Sequence, residues 1–182
     1  MNFAIDLKTG KLNQIETPVI KGKKTEDRVS KLSLKYRIIR TTAVSEDGTD
    51  IPISIVFNNQ NGALKTPAPC PGPLVLVAYG AYGVSVPVEF DPQIFALLER
   101  GFTVAYAHCR GGGEYGAVWH QQGRGYSKWN TFNDYTSCAQ YLISKEYTSP
   151  SMLCGMGSSA GGLIMGVMAN ESPNMFAALV MR

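Results

Sequence analysis

Residues 153 to 166, LCGMGSSAGGLIMG, set two serines among glycines, between an apolar run ending at Met156 and another starting at Ala160. Read as strand, turn and helix, this segment constrains the fold more than any other, because few architectures place a glycine-caged serine at a strand-to-helix junction. Gly157-Ser158-Ser159-Ala160-Gly161 fits G-x-S-x-G in a single register, since centring on Ser158 would require glycine where Met156 stands. Ser159 is therefore the candidate nucleophile and Ser158 the filler. A turn this tight lifts one hydroxyl above a sheet in a strained backbone conformation, and side chains two residues before and after would strike the neighbouring strand or helix. Glycine at 157 and 161 removes those collisions. The free amides and dipole of the helix start favour negative charge, so the Ala160 N–H is expected to donate to an oxyanion formed when Ser159 attacks a carbonyl. The motif alone also fits a glycine-rich cap on a buried helix with two incidental serines.

The surrounding pattern supplies the architecture. Leu74 to Tyr79, Phe102 to Ala107 and Met152 to Met156 are apolar runs of the kind expected of strands covered on both faces, and Phe176 to Met181 is a fourth strand-like run. Between them, Asp91-Pro92 offers a cap and a first-turn proline for a helix with Ile94, Phe95, Leu97 and Leu98 on its apolar stripe and Gly101 past its end. Thr131-x-x-Asp134 resembles a capping box opening a helix with Phe132, Tyr135, Ala139 and Leu142 on one side. A further helix is predicted from Ala160 to Asn170. Strand and helix in alternation define an α/β class, a mostly parallel sheet with flanking helices. Upstream, residues 3 to 7 and 11 to 15 read as a hairpin about Lys8-Thr9-Gly10, and Lys21 to Ser30 as a polar linker. The predicted organisation is a segment 1–32 followed by a domain 33–182. Ser33 to Val44 and Ile51 to Phe57, on either side of Glu46-Asp47-Gly48-Thr49, read as an antiparallel pair, with Pro52 at an edge or in the strand's first turn. Asn58 to Pro73 is turn chemistry throughout.

At 182 residues and 45% hydrophobic, the chain suits one globular domain and is too short for two full ones. No window approaches a membrane span, and MNFAIDLKTG lacks the basic-then-apolar layout of a secretory leader, so neither membrane nor export is expected. Cys70, Cys109, Cys138 and Cys154 are widely spaced, with no C-x-x-C pair and no neighbouring histidine run of zinc-finger spacing. They read as thiols of a reducing, cytoplasmic compartment, and no metal or organic cofactor is implied. The first forty residues hold ten Lys and Arg against four Asp and Glu, but the basic residues are diluted by acids with Tyr36 alone interleaved for stacking, so a solvated segment fits better than a nucleic-acid face.

A second glycine cage, Arg110-Gly111-Gly112-Gly113-Glu114-Tyr115-Gly116, literally fits G-x-G-x-x-G. A dinucleotide site is disfavoured because no immediate amphipathic helix follows, Glu114 would oppose the pyrophosphate, and Asp134 falls at a helix start.

With both cages in place, the chain resembles the prolyl oligopeptidase family of serine peptidases, and within it the oligopeptidase B branch more than the proline-specific one. The matching stretches are VAYGAYG (77 to 83), RGGGEYGAVWHQQGR (110 to 124), NTFNDY (130 to 135) and GSSAGGLIMG (157 to 166). The resemblance implies a partial α/β-hydrolase fold, with residues 1–32 as a short remnant of a β-propeller and the crossing from it. It implies Ser159 as nucleophile, Ala160 as amide donor and Tyr79 as the hydroxyl completing the oxyanion hole, acting on short peptides. In this fold the order along the chain is Ser, Asp or Glu, then His. After Ser159 there is no aspartate and no histidine, Glu171 is the sole acid, and His108 and His120 lie upstream, where structural hydrogen bonding is expected of both. The expectation is thus the N-terminal half of a catalytic domain, nearly inactive alone, whose partner is its own missing C-terminal half and whose specificity pocket lies past Arg182. A silent fragment or pseudoenzyme that acts by binding, and an esterase, remain alternatives that the residues permit.

Overall fold

The computed structural model describes residues 2–5, 9, 11–16, 35–59, 71–89 and 91–182. The chain divides into two compact units, Met1–Lys35 and Tyr36–Arg182. In the first, β1 (Asn2–Ile5) and β2 (Leu12–Glu16) pair antiparallel, as the glycine-turn pattern predicts. The stretch read as a linker, 21–30, and Cys70 lie outside the described residues.

The second unit is built on a six-stranded sheet. Its strands are β3 (Tyr36–Val44), β4 (Asp50–Asn58), β5 (Leu74–Val77), β6 (Thr103–Ala107), β7 (Leu153–Gly157) and β8 (Ala178–Met181), in the order β3-β4-β6-β5-β7-β8. β3 pairs antiparallel with β4, and β4 with β6. The pairs β5–β6, β5–β7 and β7–β8 are parallel. The helices are α1 (Pro92–Leu98), α2 (Ala117–Gln121), α3 (Lys128–Ser144) and α4 (Ala160–Glu171).

The continuous apolar runs follow from a sheet clothed on both faces. Along β6, Ala105 and Ala107 enter the larger core with Leu74 and Leu76 of β5, Ile51, Ile53, Ile55 and Phe57 of β4, Tyr135, Ala139 and Leu142 of α3, and Ile164, Met165 and Met168 of α4. The alternate residues Val104 and Tyr106 face the other way, into a smaller core closed by Ile94 and Leu98 of α1. A residue spacing of two sends neighbours to opposite faces, so a strand buried on both must be apolar throughout.

Several local expectations need correction. Pro52 is not on an edge strand, because β4 lies between β3 and β6. It stands one residue past the last β4–β6 pair, Ile53↔Ala107, and its carbonyl accepts from His108 N–H at 3.0 Å, so its missing N–H breaks no ladder bond there. The helix expected to open at Thr131 starts at Lys128, and Thr131 and Asp134 are both fully buried in its interior. Asp134 is an ion-pair partner and not a cap. Asp91 does cap α1 as predicted, its carboxylate accepting from Gln93 N–H at 2.8 Å. That helix runs seven residues instead of about ten.

Candidate active site

The bend between β7 and α4 is the strained junction that the glycine spacing requires. Ser159 adopts φ +52°, ψ −117°, outside the regions open to an unstrained L-residue, and its side chain is exposed. The flanking glycines show why no other residue fits. A Cβ on Gly157 would stand 2.1 Å from the Gly161 carbonyl oxygen, and one on Gly161 would stand 2.4 Å from the Ala78 carbonyl oxygen. Hydrogen bonds hold the bend: Ser159 N–H donates to the Arg182 carbonyl at 2.8 Å, and Arg182 N–H donates to the Gly157 carbonyl at 3.0 Å, so the end of β8 clamps the serine. Gly161 and Gly162 donate to the carbonyls of Ser158 and Ser159. Ala160 N–H, first in the helix, takes no acceptor among the described residues and is the amide available to an incoming oxygen.

Tyr79 lies two residues past β5, half-buried, and the position of a Cβ on Gly161 is 3.4 Å from its Cα. The same close approach that demands glycine at 161 therefore seats the elbow against the strand end carrying Tyr79. The two candidate oxyanion donors thus come from adjacent parallel strands, at their carboxyl ends, the edge of an open α/β sheet where ligand sites form. Beyond Tyr79 the chain turns through Gly80 at φ +61°, and the Lys128 ammonium fixes that turn by donating to the Gly80 carbonyl at 2.6 Å and to Thr131 Oγ1 at 3.1 Å. An open cleft of about 370 Å³ borders Ala160 and is lined by Tyr82, His120, Arg124, Lys128 and Leu163, among others.

His108 is sealed away from Ser159 with both ring nitrogens engaged. His108 is 2% exposed, with Nε2 2.9 Å from Ser54 Oγ and Nδ1 3.1 Å from Glu114 Oε1. These contacts reproduce the hydrogen-bond order of a Ser-His-Glu triad, yet Ser54 is itself 2% exposed, so no substrate carbonyl can reach it. Burial raises the Glu114 pKa, but hydrogen bonds from His108 and the Val86 amide outweigh it and leave the carboxyl below its ordinary range. His120 donates through Nδ1 to the Gly111 carbonyl at 2.9 Å. Glu171 is exposed on the last turn of α4. The buried Cys109 and Cys138 thiols have their pKa pushed well up by burial, which removes them as nucleophiles.

The second glycine cage has no room for a pyrophosphate. A helix does follow it, contrary to the sequence reading: α2 begins at Ala117 directly after Gly116. The space beside its first two motif glycines is nevertheless filled by backbone, with the Gly80 carbonyl oxygen 2.2 Å from a Cβ on Gly111 and the Gly83 oxygen 2.1 Å from one on Gly113. Sequence reasoning missed what the loop does instead. Arg110, 3% exposed, donates from Nε to Asp134 Oδ2 at 3.0 Å and from its terminal nitrogens to Asp134 Oδ1 and Asp47. Burial opposes the guanidinium's charge, and the hydrogen bonds from the two carboxylates outweigh it and raise its pKa. In the sequence Arg110 stands only as the head of the glycine cage and Asp134 only as part of a capping-box pattern.

Fold and elbow together define an α/β-hydrolase sheet carrying a G-x-S-x-G turn, preceded by a short β-hairpin unit. The profile of the prolyl oligopeptidase family matches residues 88–182, and the chain belongs to that family of serine peptidases. It is 33% identical over 98% of its length to Protease 2 of Moraxella lacunata, covering 24% of that protein. It is 34% identical over 98% of its length to dipeptidyl aminopeptidase BI of Pseudoxanthomonas mexicana, covering 23%. Oligopeptidase B from Trypanosoma brucei with covalently bound antipain superposes with a TM-score of 0.80 at 33% identity, over 98% of this chain and 24% of that one. The chain thus spans about a quarter of the length of the proteins it matches.

Proposed function

We propose that this chain supplies the nucleophile and oxyanion hole of a serine peptidase that hydrolyses short peptides through an acyl-enzyme on Ser159. The observation that carries the proposal is the +52° φ of an exposed Ser159 beside an unengaged Ala160 amide. Ser159 Oγ attacks the scissile carbonyl and gives up its proton to a base. The carbonyl oxygen, now an alkoxide, accepts from Ala160 N–H and the Tyr79 hydroxyl. Collapse breaks the C–N bond, the amine leaves with the proton, and water then cleaves the ester. The acid and base of the triad come from residues outside these 182, since His108 is buried with both ring nitrogens engaged and this fold's triad order places the histidine after the serine, where these residues hold none.

The hairpin unit fits the end of a β-propeller and the crossing into the catalytic domain, with the exposed edge strand β8 as the place where the rest of the sheet pairs. Among the described residues the cysteines are unpaired thiols, which supports a reducing cytoplasmic setting, and no helix is long and apolar enough to cross a membrane. A fluorophosphonate probe tests the reading. Ser159 is expected to stay unlabelled in the 182-residue chain and to be labelled in a protein extended at the C-terminus. Absence of labelling in the extended protein overturns it, and peptide against ester turnover separates peptidase from esterase.

A further inference from the structure

The cleft beside Ala160 contains positive charge that no carboxylate among the described residues neutralises. Arg124 and Lys128 line it, and no aspartate or glutamate does. The half-buried Lys128 donates to a carbonyl and a hydroxyl, both neutral, and burial lowers its pKa with no carboxylate to offset the effect. The exposed Arg124 makes no ion pair with a carboxylate among the described residues. By contrast, where this chain uses a cation structurally, at Arg110, it supplies two carboxylates. Two cations brought together without a counter-ion repel each other and attract an anion most strongly where water is partly excluded. His120 lines the cleft as well, with its Nδ1 held by the Gly111 carbonyl. Tyr82 and Leu163, 76% and 54% exposed, give the cleft apolar sides along which the stem of a residue can lie. Its volume of about 370 Å³ falls within the range of small-ligand sites, roughly 300 to 1,000 Å³.

Position makes the charge relevant to the reaction. Ala160 lines the cleft, so a peptide whose scissile carbonyl oxygen rests on the Ala160 amide has a neighbouring group inside it. We infer that the cleft is a specificity subsite for a carboxylate of the substrate, held by Arg124 and the field of Lys128. The inference rests on the peptidase reading of Ser159. The carboxylate belongs either to the free C-terminus of a short peptide or to an Asp or Glu side chain, and both present the same two oxygens to the guanidinium.

Binding to a protein carrying Ser159→Ala separates recognition from turnover. Three N-acetylated tetrapeptides serve as probes by calorimetry: a free acid, its C-terminal amide, and that amide with aspartate substituted at the last position. At least one carboxylate-bearing peptide is expected to bind about tenfold more tightly than the plain amide, with the advantage shrinking as salt rises. Preference for the acid assigns the α-carboxylate, and preference for the aspartyl amide assigns the side chain. In the additional variant Arg124→Gln, at an exposed position that leaves the fold intact, the preference is expected to fall below about twofold. Equal binding of all three peptides, absence of binding, or a preference that survives Arg124→Gln overturns the inference. Fluorophosphonate labelling of Ser159 in the extended protein reports on the nucleophile independently, so failure of the subsite and failure of the peptidase reading are distinguishable.

Discussion

Ser159 can hold its strained backbone only because its neighbours at 157 and 161 have no side chains to displace. At both positions a Cβ would stand within 2.4 Å of a carbonyl oxygen, a contact that backbone must move to relieve. Gly161→Ala is therefore expected to destabilise the protein by about 2 to 4 kcal/mol, read as a lowered midpoint in urea unfolding. It should also abolish fluorophosphonate labelling of the extended protein, because relief of the clash separates the elbow from Tyr79. Tyr79→Phe removes one hydroxyl from a half-buried ring, so stability should change little, whereas kcat of the extended protein should drop about 100- to 1,000-fold, the usual loss for one oxyanion donor. The Asp47 carboxyl shows a different balance. Chiefly through its hydrogen bond from Arg110, its pKa falls from 3.8 to about 2. A carboxyl whose folded pKa lies below its unfolded one stabilises the fold above the unfolded value, and that contribution is lost as pH falls from about 4 to 2. Asp47→Asn should flatten that part of the stability profile by less than about 1 kcal/mol, since the side chain is 48% exposed and water screens the pair.

At the scale of elements, α3 is fastened to the sheet by two kinds of contact. Its apolar stripe, Phe132, Tyr135, Ala139 and Leu142, lies in the main core, and Asp134, on the same helix, anchors Arg110 from the loop after β6 together with Ser45 from the end of β3. Removing one partner of such a buried pair leaves an uncompensated charge, so Asp134→Ala is expected to cost about 3 to 5 kcal/mol in chemical denaturation. The edge strand β8 carries the opposite liability. Val180 and Met181 are 41% and 59% exposed on a strand hydrogen-bonded on one side only among the described residues. Unpaired edges with apolar side chains recruit other strands. The chain should therefore associate with rising concentration in sedimentation velocity, and Val180→Lys should reduce that association without altering the circular-dichroism spectrum.

For the molecule as a whole, the described core residues all lie between Tyr36 and Met181. A protein beginning at Tyr36 should keep the far-ultraviolet spectrum of the sheet and its helices and melt cooperatively; a gradual melt would show that the hairpin unit contributes to the core. The elbow, the three apolar strands and the stripe of α3 were legible in the sequence, because each depends on spacing along the chain: a period of two or 3.6, or glycine two residues either side of a serine. The place of Pro52, the start of α3 and the role of Asp134 were not, since each is set by a partner far away in sequence: the end of the β4–β6 ladder, the Gly80 turn held by Lys128, and Arg110. By itself, then, the sequence determined which serine stands at a strained turn and that helices cover both faces of a sheet. Only the tertiary structure decided that His108 is sealed beside Ser54, that Tyr79 and Ala160 share one end of the sheet, and that two unbalanced cations face the same cleft. Those facts depend on which strands lie side by side, and strand order is fixed by packing across the sheet, a relation that local periodicity does not encode.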